Sequence, residues 1–211
     1  MLLQRKKRKQ YDFYEYADLL FGTLTRRYIA LFNTLKNVSG YTDLEIVEAV
    51  NEVYKEADEV TRKYFLLLYK KIVKEICDFL DVEEILDTVM LMWLDEMLKG
   101  YDPVTKYVYN HEVDRKRARA IESLIASDNK PKEVETAKKQ WSKQAKQYLD
   151  NIVADAVKRI LNEADVKEVI WRTEEDLRVC AICEERDGII YPLKDVPTKP
   201  HYGCRCWVEP I

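Results

Sequence analysis

The sequence predicts a mainly α protein: an elongated helical body followed by a small C-terminal α+β module of knuckle type. Three observations predict it. Apolar residues recur at three- and four-residue steps through most of residues 11–165, the period of one helix face. Glycine and proline are scarce, 5 and 6 in 211 residues, which disfavours a turn-rich β fold. Four of the five cysteines, Cys180, Cys183, Cys204 and Cys206, crowd the C-terminal end together with His201.

Composition narrows the function. A hydrophobic share of 47% is enough for a real core, and 35% charged residues suit helices laced with ion pairs. The formal net charge of -3 argues against a polyanion binder acting through overall charge. No stretch approaches the roughly 18 consecutive apolar residues of a membrane span. The early basic run stands where a secretory leader would carry its apolar segment, which predicts a protein made and used without secretion.

The elements follow in order. Residues 1–10 form a basic tail. Phe13, Ala17, Leu20, Leu24, Tyr28, Leu31 and Leu35 mark one face of a helix over 11–36 that Gly40 stops. Thr42 and Glu45 have capping-box spacing, so a second helix starts there and carries Ile46, Val50, Val53 and Ala57, with the pattern running on to Ile76. Asp81-Val82-Glu83-Glu84 repeats the capping signal and predicts a third helix from that point to Gly100. The 101–104 stretch reads as a turn, residues 111–126 as a fourth helix, and Pro131 suits the first turn of a fifth. That fifth helix shows one apolar face from Val134 to Ile160, about eight turns. The body ends near residue 165. Beyond it, Val169-Ile170-Trp171 and Ile189-Ile190-Tyr191 predict two short strands around an Asp187-Gly188 turn, and residues 166–211 form the module. Cys77 reads as a buried small hydrophobe and His111 as an ordinary helix-start residue.

Cys180 and Cys183 are separated by two residues, and so are His201 and Cys204, with 17 residues between the pairs. Two such corners match the layout of a structural zinc site, and thiolates with imidazole favour zinc over calcium or magnesium. Five candidates compete for four positions, so Cys206 is either a spare thiol or replaces His201 or Cys204. A metal-free cluster or a Cys180–Cys204 disulfide is the alternative. Four protein ligands would leave no open position, so such a zinc would stabilise rather than catalyse. With few apolar residues in 174–206, the metal would supply much of the local folding energy. Gly203 would allow the positive backbone angle that a knuckle needs.

These residues carry a resemblance. Trp171-Arg172-Thr173, Asp176, Arg178-Val179-Cys180-Ala181-Ile182-Cys183, Asp187-Gly188, Tyr191, Pro197 and Pro200-His201-Tyr202-Gly203-Cys204-Arg205-Cys206 resemble the C-terminal signature of phage minor head proteins. This is the head-morphogenesis family that includes the Mu F-like proteins. The likeness covers about 45 residues, and the part from Tyr101-Asp102-Pro103 to Glu122 is similar to the family's upstream helices. It implies a structural component of the head of a tailed phage, assembled in the bacterial host cytoplasm, with the portal protein and other capsid components as partners. It implies no established chemistry.

Two further segments suggest contacts. Arg5, Lys6, Lys7, Arg8 and Lys9 could bind nucleic-acid phosphates without reading sequence, with the 115–119 cluster adding to them, in which case affinity should fall steeply with salt. The plainer reading is a solvated tail, and a 115–119 cluster paired with Glu112, Asp114 and Glu122 on its own helix. Tyr11, Phe13, Tyr14 and Tyr16 form an aromatic patch that cannot all lie on one helix face, so part of it is expected at a partner, the portal by the resemblance. No enzyme is expected. There is no phosphate loop or nucleophile elbow, and no small-molecule substrate is implied. Asp176 and Asp187 near the metal would fit a nuclease only if the zinc kept an open position.

Overall fold

In a computed structural model the described residues are 13–102, 106–173, 179–201 and 203–211. They form six α-helices, two short strands in the middle of the chain and three more at its C-terminal end. The basic tail and Tyr11 lie outside the described residues, as do Asp176, Arg178 and Tyr202. Among the described residues no helix is long and apolar enough to cross a membrane.

Helix α1 (Phe13–Asn33) runs into a short 3-10 turn (Thr34–Gly40). The Thr42–Glu45 capping box then starts α2 (Asp43–Leu80). Glu45 accepts from the Thr42 amide at 2.7 Å, and the Thr42 hydroxyl receives the Glu45 amide at 3.4 Å. With its first amides satisfied, α2 continues unbroken for 38 residues, about 57 Å. Its end differs from expectation. Asp81 does not cap a new helix; it adopts a left-handed conformation (φ 55°) and closes α2. Helix α3 (Asp87–Lys99) begins six residues later behind Leu86, without a side-chain cap. A short polar residue such as Asp tolerates the left-handed region, and here terminating one helix won over starting the next.

After Gly100, β1 (Tyr101–Asp102) and β2 (Tyr107–Val108) pair antiparallel where a turn was expected. Helices α4 (Tyr109–Ala126) and α5 (Lys130–Glu163) follow, with Pro131 in the first turn of α5 and the Asn129 side chain accepting from the Lys132 amide. The core lies between α1, α2, α4 and α5. Trp141 of α5 meets Tyr28 and Tyr54 edge-on, with ring centroids 6.4 and 5.2 Å away, and Phe65 packs on Tyr109 at 5.6 Å. These rings are fully buried and supply the largest apolar contacts in the body. Two of their hydroxyls find partners: Tyr28 shares a 2.6 Å hydrogen bond with Thr61, and Tyr109 donates to Asp58 at 2.8 Å. Cys77 is buried, and His111 is exposed early in α4.

Helix α5 stops at Glu163, and a left-handed Asp165 (φ 54°) redirects the chain into β3 (Glu168–Arg172). Helix α6 (Ala181–Arg186), β4 (Ile190–Pro192) and β5 (Trp207–Pro210) complete the C-terminal part. The strands form one antiparallel sheet in the order β4-β3-β5. Two elements of this C-terminal part, α6 and β5, were not foreseen: the first is too short for a periodic signal, and four residues of mixed polarity do not declare a strand. Val169 and Leu193 bury their side chains in the helical core, so the sheet rests directly on the body.

Candidate metal centre

Local turns place the five sequence candidates. Cys180 precedes α6, and its carbonyl accepts from the amides of Cys183 and Glu184, both at 2.9 Å, so the two sulfurs sit one tight turn apart. On the other arm Gly203 takes φ +74°, the left-handed turn expected of it, between His201 and Cys204. Strand β3 lies between the arms. Trp171 is 2% exposed and packs with Cys183, Cys204 and Cys206 in a small core of their own. Arg186 covers its ring at 5.2 Å.

The structure brings all five candidates together. The donor atoms of Cys180, Cys183 and His201 lie within 4.8 Å of one another, and so do those of Cys183, Cys204 and Cys206. Cys183 belongs to both sets. Its sulfur is 3.5 Å from that of Cys204, too far for a disulfide and near the roughly 3.8 Å edge of a tetrahedral thiolate site built on about 2.3 Å bonds. All five cysteines are free thiols. The cluster could therefore hold a metal ion. Cys183, Cys204 and Cys206 are buried, Cys180 is half-buried and His201 exposed, so the donors run from the small core to the surface.

The thiols divide, two drawn toward the thiolate and two held protonated. The thiol of Cys206 and the amide of Cys206 draw Cys204 below the usual thiol range, Lys199 adding to the effect against the cost of burial. Burial pushes Cys183 up, and Cys206 is held up chiefly by its hydrogen bond to Cys204. Burial works against ionisation of Cys180, but contacts with Cys183 and His201 outweigh it and the net shift is downward. Packed thiols of this kind cannot all ionise unless a divalent charge replaces their protons.

The cluster is tied to the helical body. Tyr14 of α1 donates to the Cys206 carbonyl at 3.1 Å, while Lys199 donates to the Cys204 carbonyl at 2.9 Å and to the Tyr14 hydroxyl. This corrects one expectation: Phe13 and Tyr14 are 4% and 5% exposed, so they serve the interior instead of a partner. An α1 phase that points both residues at α5 and the module leaves them nothing to offer outside. Tyr16 is partly buried beneath Lys71, whose ammonium lies 5.7 Å from its ring centre. Asp18 and Asp150 flank the cluster on the body side, Lys146 bridging them; its bond to Asp18 is 2.8 Å. Asp187 accepts from the Thr173 amide at 2.9 Å and so pins the β3 end.

Comparison with known proteins adds no relative. No protein-family model matches the chain, and no curated protein or solved structure matches it. What the chain does rests on its own residues. Sequence spacing picked out the residues that the fold gathers in the cluster; it missed the roles of Tyr14 and Lys199, whose link to the thiol loop leaves no local signal.

Proposed function

We propose that this chain is a minor head protein of a tailed phage, a structural assembly part whose C-terminal module is stapled by zinc. The observation that carries the reading is the joint occurrence of two things in one segment: the residue signature from Trp171 to Cys206, and the gathering of its Cys and His residues at metal-ligand separations. Residues that a likeness of letters picks out are the residues that converge in space. A structural zinc accounts for that convergence, since soft sulfur donors with one imidazole suit it and four protein ligands saturate it.

In this reading Cys183 is the indispensable ligand, because both donor sets contain it. Zinc supplies fixed charge that replaces thiol protons and holds the two arms together, while Tyr14 and Lys199 carry that rigidity to α1. A saturated ion offers no position for substrate, so the protein works as a part and not as an enzyme.

The test is co-expression with portal protein, followed by metal analysis of the purified chain. We expect co-purification with portal and about one equivalent of zinc, lost in Cys183→Ser. A parent chain free of metal would remove the zinc staple; a zinc-loaded chain that ignores portal would remove the head-assembly role.

A further inference from the structure

On α4 and the facing stretch of α5, the junction of the two helices collects positive charge. Arg115, Lys116 and Arg119 lie on α4 and Lys143 on α5, and each of the other three cations lies close enough to Lys116 to repel it. The acidic group acting most on Lys116 is Glu112, and it is already engaged by Arg115 at 2.6 Å. Arg115 is further held over the Tyr107 ring at 5.1 Å. Three cations thus gather around Lys116, and the carboxylate nearest in effect is already held by one of them. Burial lowers the Lys116 pKa; Glu112 opposes this and the three cations add to it.

A second observation is independent of charge. Gln144 is 3% exposed, and neither its amide nitrogen nor its amide oxygen has a partner among the described residues; the Arg115 Nε is likewise buried without one. An unpaired buried amide costs about 1–3 kcal/mol, so a native protein seldom keeps one without a use. The register places it with the cations. Helices α4 and α5 run antiparallel from the 127–129 turn, and Tyr109 meets Tyr148 at 4.7 Å. Gln144, one turn back from Tyr148, is level with Glu112 and Val113 and within a turn of Lys116.

We infer that the α4–α5 junction is a phosphate-binding site, in which Lys116, Arg119 and Lys143 supply charge and the Gln144 and Arg115 N–H groups supply directed donors. A tetrahedral dianion would balance the excess charge and occupy the unpaired donors, as charge-assisted bonds do best. The site shares no residue with the thiol cluster and does not rest on the head-assembly reading. Its ligand is a phosphate group, either free (inorganic phosphate or a phosphate monoester) or part of a nucleic-acid backbone.

The full chain, metal-loaded, would be melted with increasing inorganic phosphate and with sodium chloride of equal ionic strength. Phosphate at ten times its Kd should raise Tm by roughly 3–6 °C, and chloride should not. Arg119→Ala and Lys143→Ala alter exposed residues and should fold normally; each should weaken phosphate binding by about tenfold. Gln144→Met keeps the volume, removes the unpaired amide and should abolish the shift while the chain still melts cooperatively. A short DNA duplex forms the second arm. Duplex binding lost in the same variants identifies a backbone phosphate, and a phosphate shift without duplex binding identifies a free one. A parent chain that phosphate stabilises no more than chloride does, or a shift unchanged in all three variants, overturns the site.

Discussion

The Tyr14 hydroxyl is a small group with a long reach. It donates to the Cys206 carbonyl across 192 positions of sequence and receives the Lys199 ammonium in turn. Tyr14→Phe keeps the ring in the core and deletes only the donor, leaving a buried carbonyl one bond short. We expect a loss of about 1 kcal/mol, read as a fall in Tm of roughly 2–4 °C. With zinc in the proposed site, we also expect faster release of the ion to a chelator, since the loop that carries Cys204 and Cys206 loses an anchor. Melting and competition with a chromogenic chelator measure both. An unchanged release rate would show that the anchor does not steady the ligand loop. Single residues were unevenly legible in the sequence. Cys180, Cys183, His201 and Cys204 declared themselves because metal ligands keep short, regular spacings, whereas the inward turn of Phe13 and Tyr14 depends on a packing phase that no local pattern contains.

Among the elements, α2 offers the cleanest test of how a helix is started. Its capping box satisfies donors at both ends of a single turn, and Glu45 is held below the usual carboxylate range first by the Thr42 amide and then by the Thr42 hydroxyl. Thr42→Ala should cost about 1 kcal/mol, seen as a lower midpoint in urea with an unchanged slope. Asp81 carried a similar motif and does the opposite job, so Asp81→Ala should destabilise α2 at its end, where a left-handed backbone is hard for alanine. The long helices were legible because their apolar faces repeat over many turns. Helix α6 and strand β5 were not, because six and four residues give a period too few cycles to show.

At the scale of the whole molecule, the C-terminal module has one support in the apolar residues Val169 and Leu193 sunk in the helical core, and a second, on the proposed reading, in an ion held by the thiol cluster. On the proposed reading, stripping the metal with a strong chelator should loosen residues 179–211 while the helical signal in circular dichroism persists, because the Trp141 cluster lies within the helical body. Hydrogen exchange would report faster exchange at β5 than at α2. The affinity should also depend on acidity. Cys183, by burial, and Cys206, by its bond to Cys204, keep their protons through neutral pH, so binding must expel protons. Lowering the pH opposes that expulsion, and affinity should drop by roughly tenfold or more per pH unit between 8 and 6. A flat profile would mean the thiols are ionised before metal arrives.

The hydrogen bond between Tyr14 and Cys206 also sets an order of events during synthesis. Translation delivers the phenol first and its acceptor 192 residues later. Until the ribosome has released the thiol loop, the start of α1 has no lid over Phe13 and Tyr14, and a nascent chain carries that apolar surface uncovered. The closing step is thus among the most non-local in the fold and should be the slowest to form. If the thiol cluster takes a metal as proposed, its supply would bear on how fast newly made chains complete themselves.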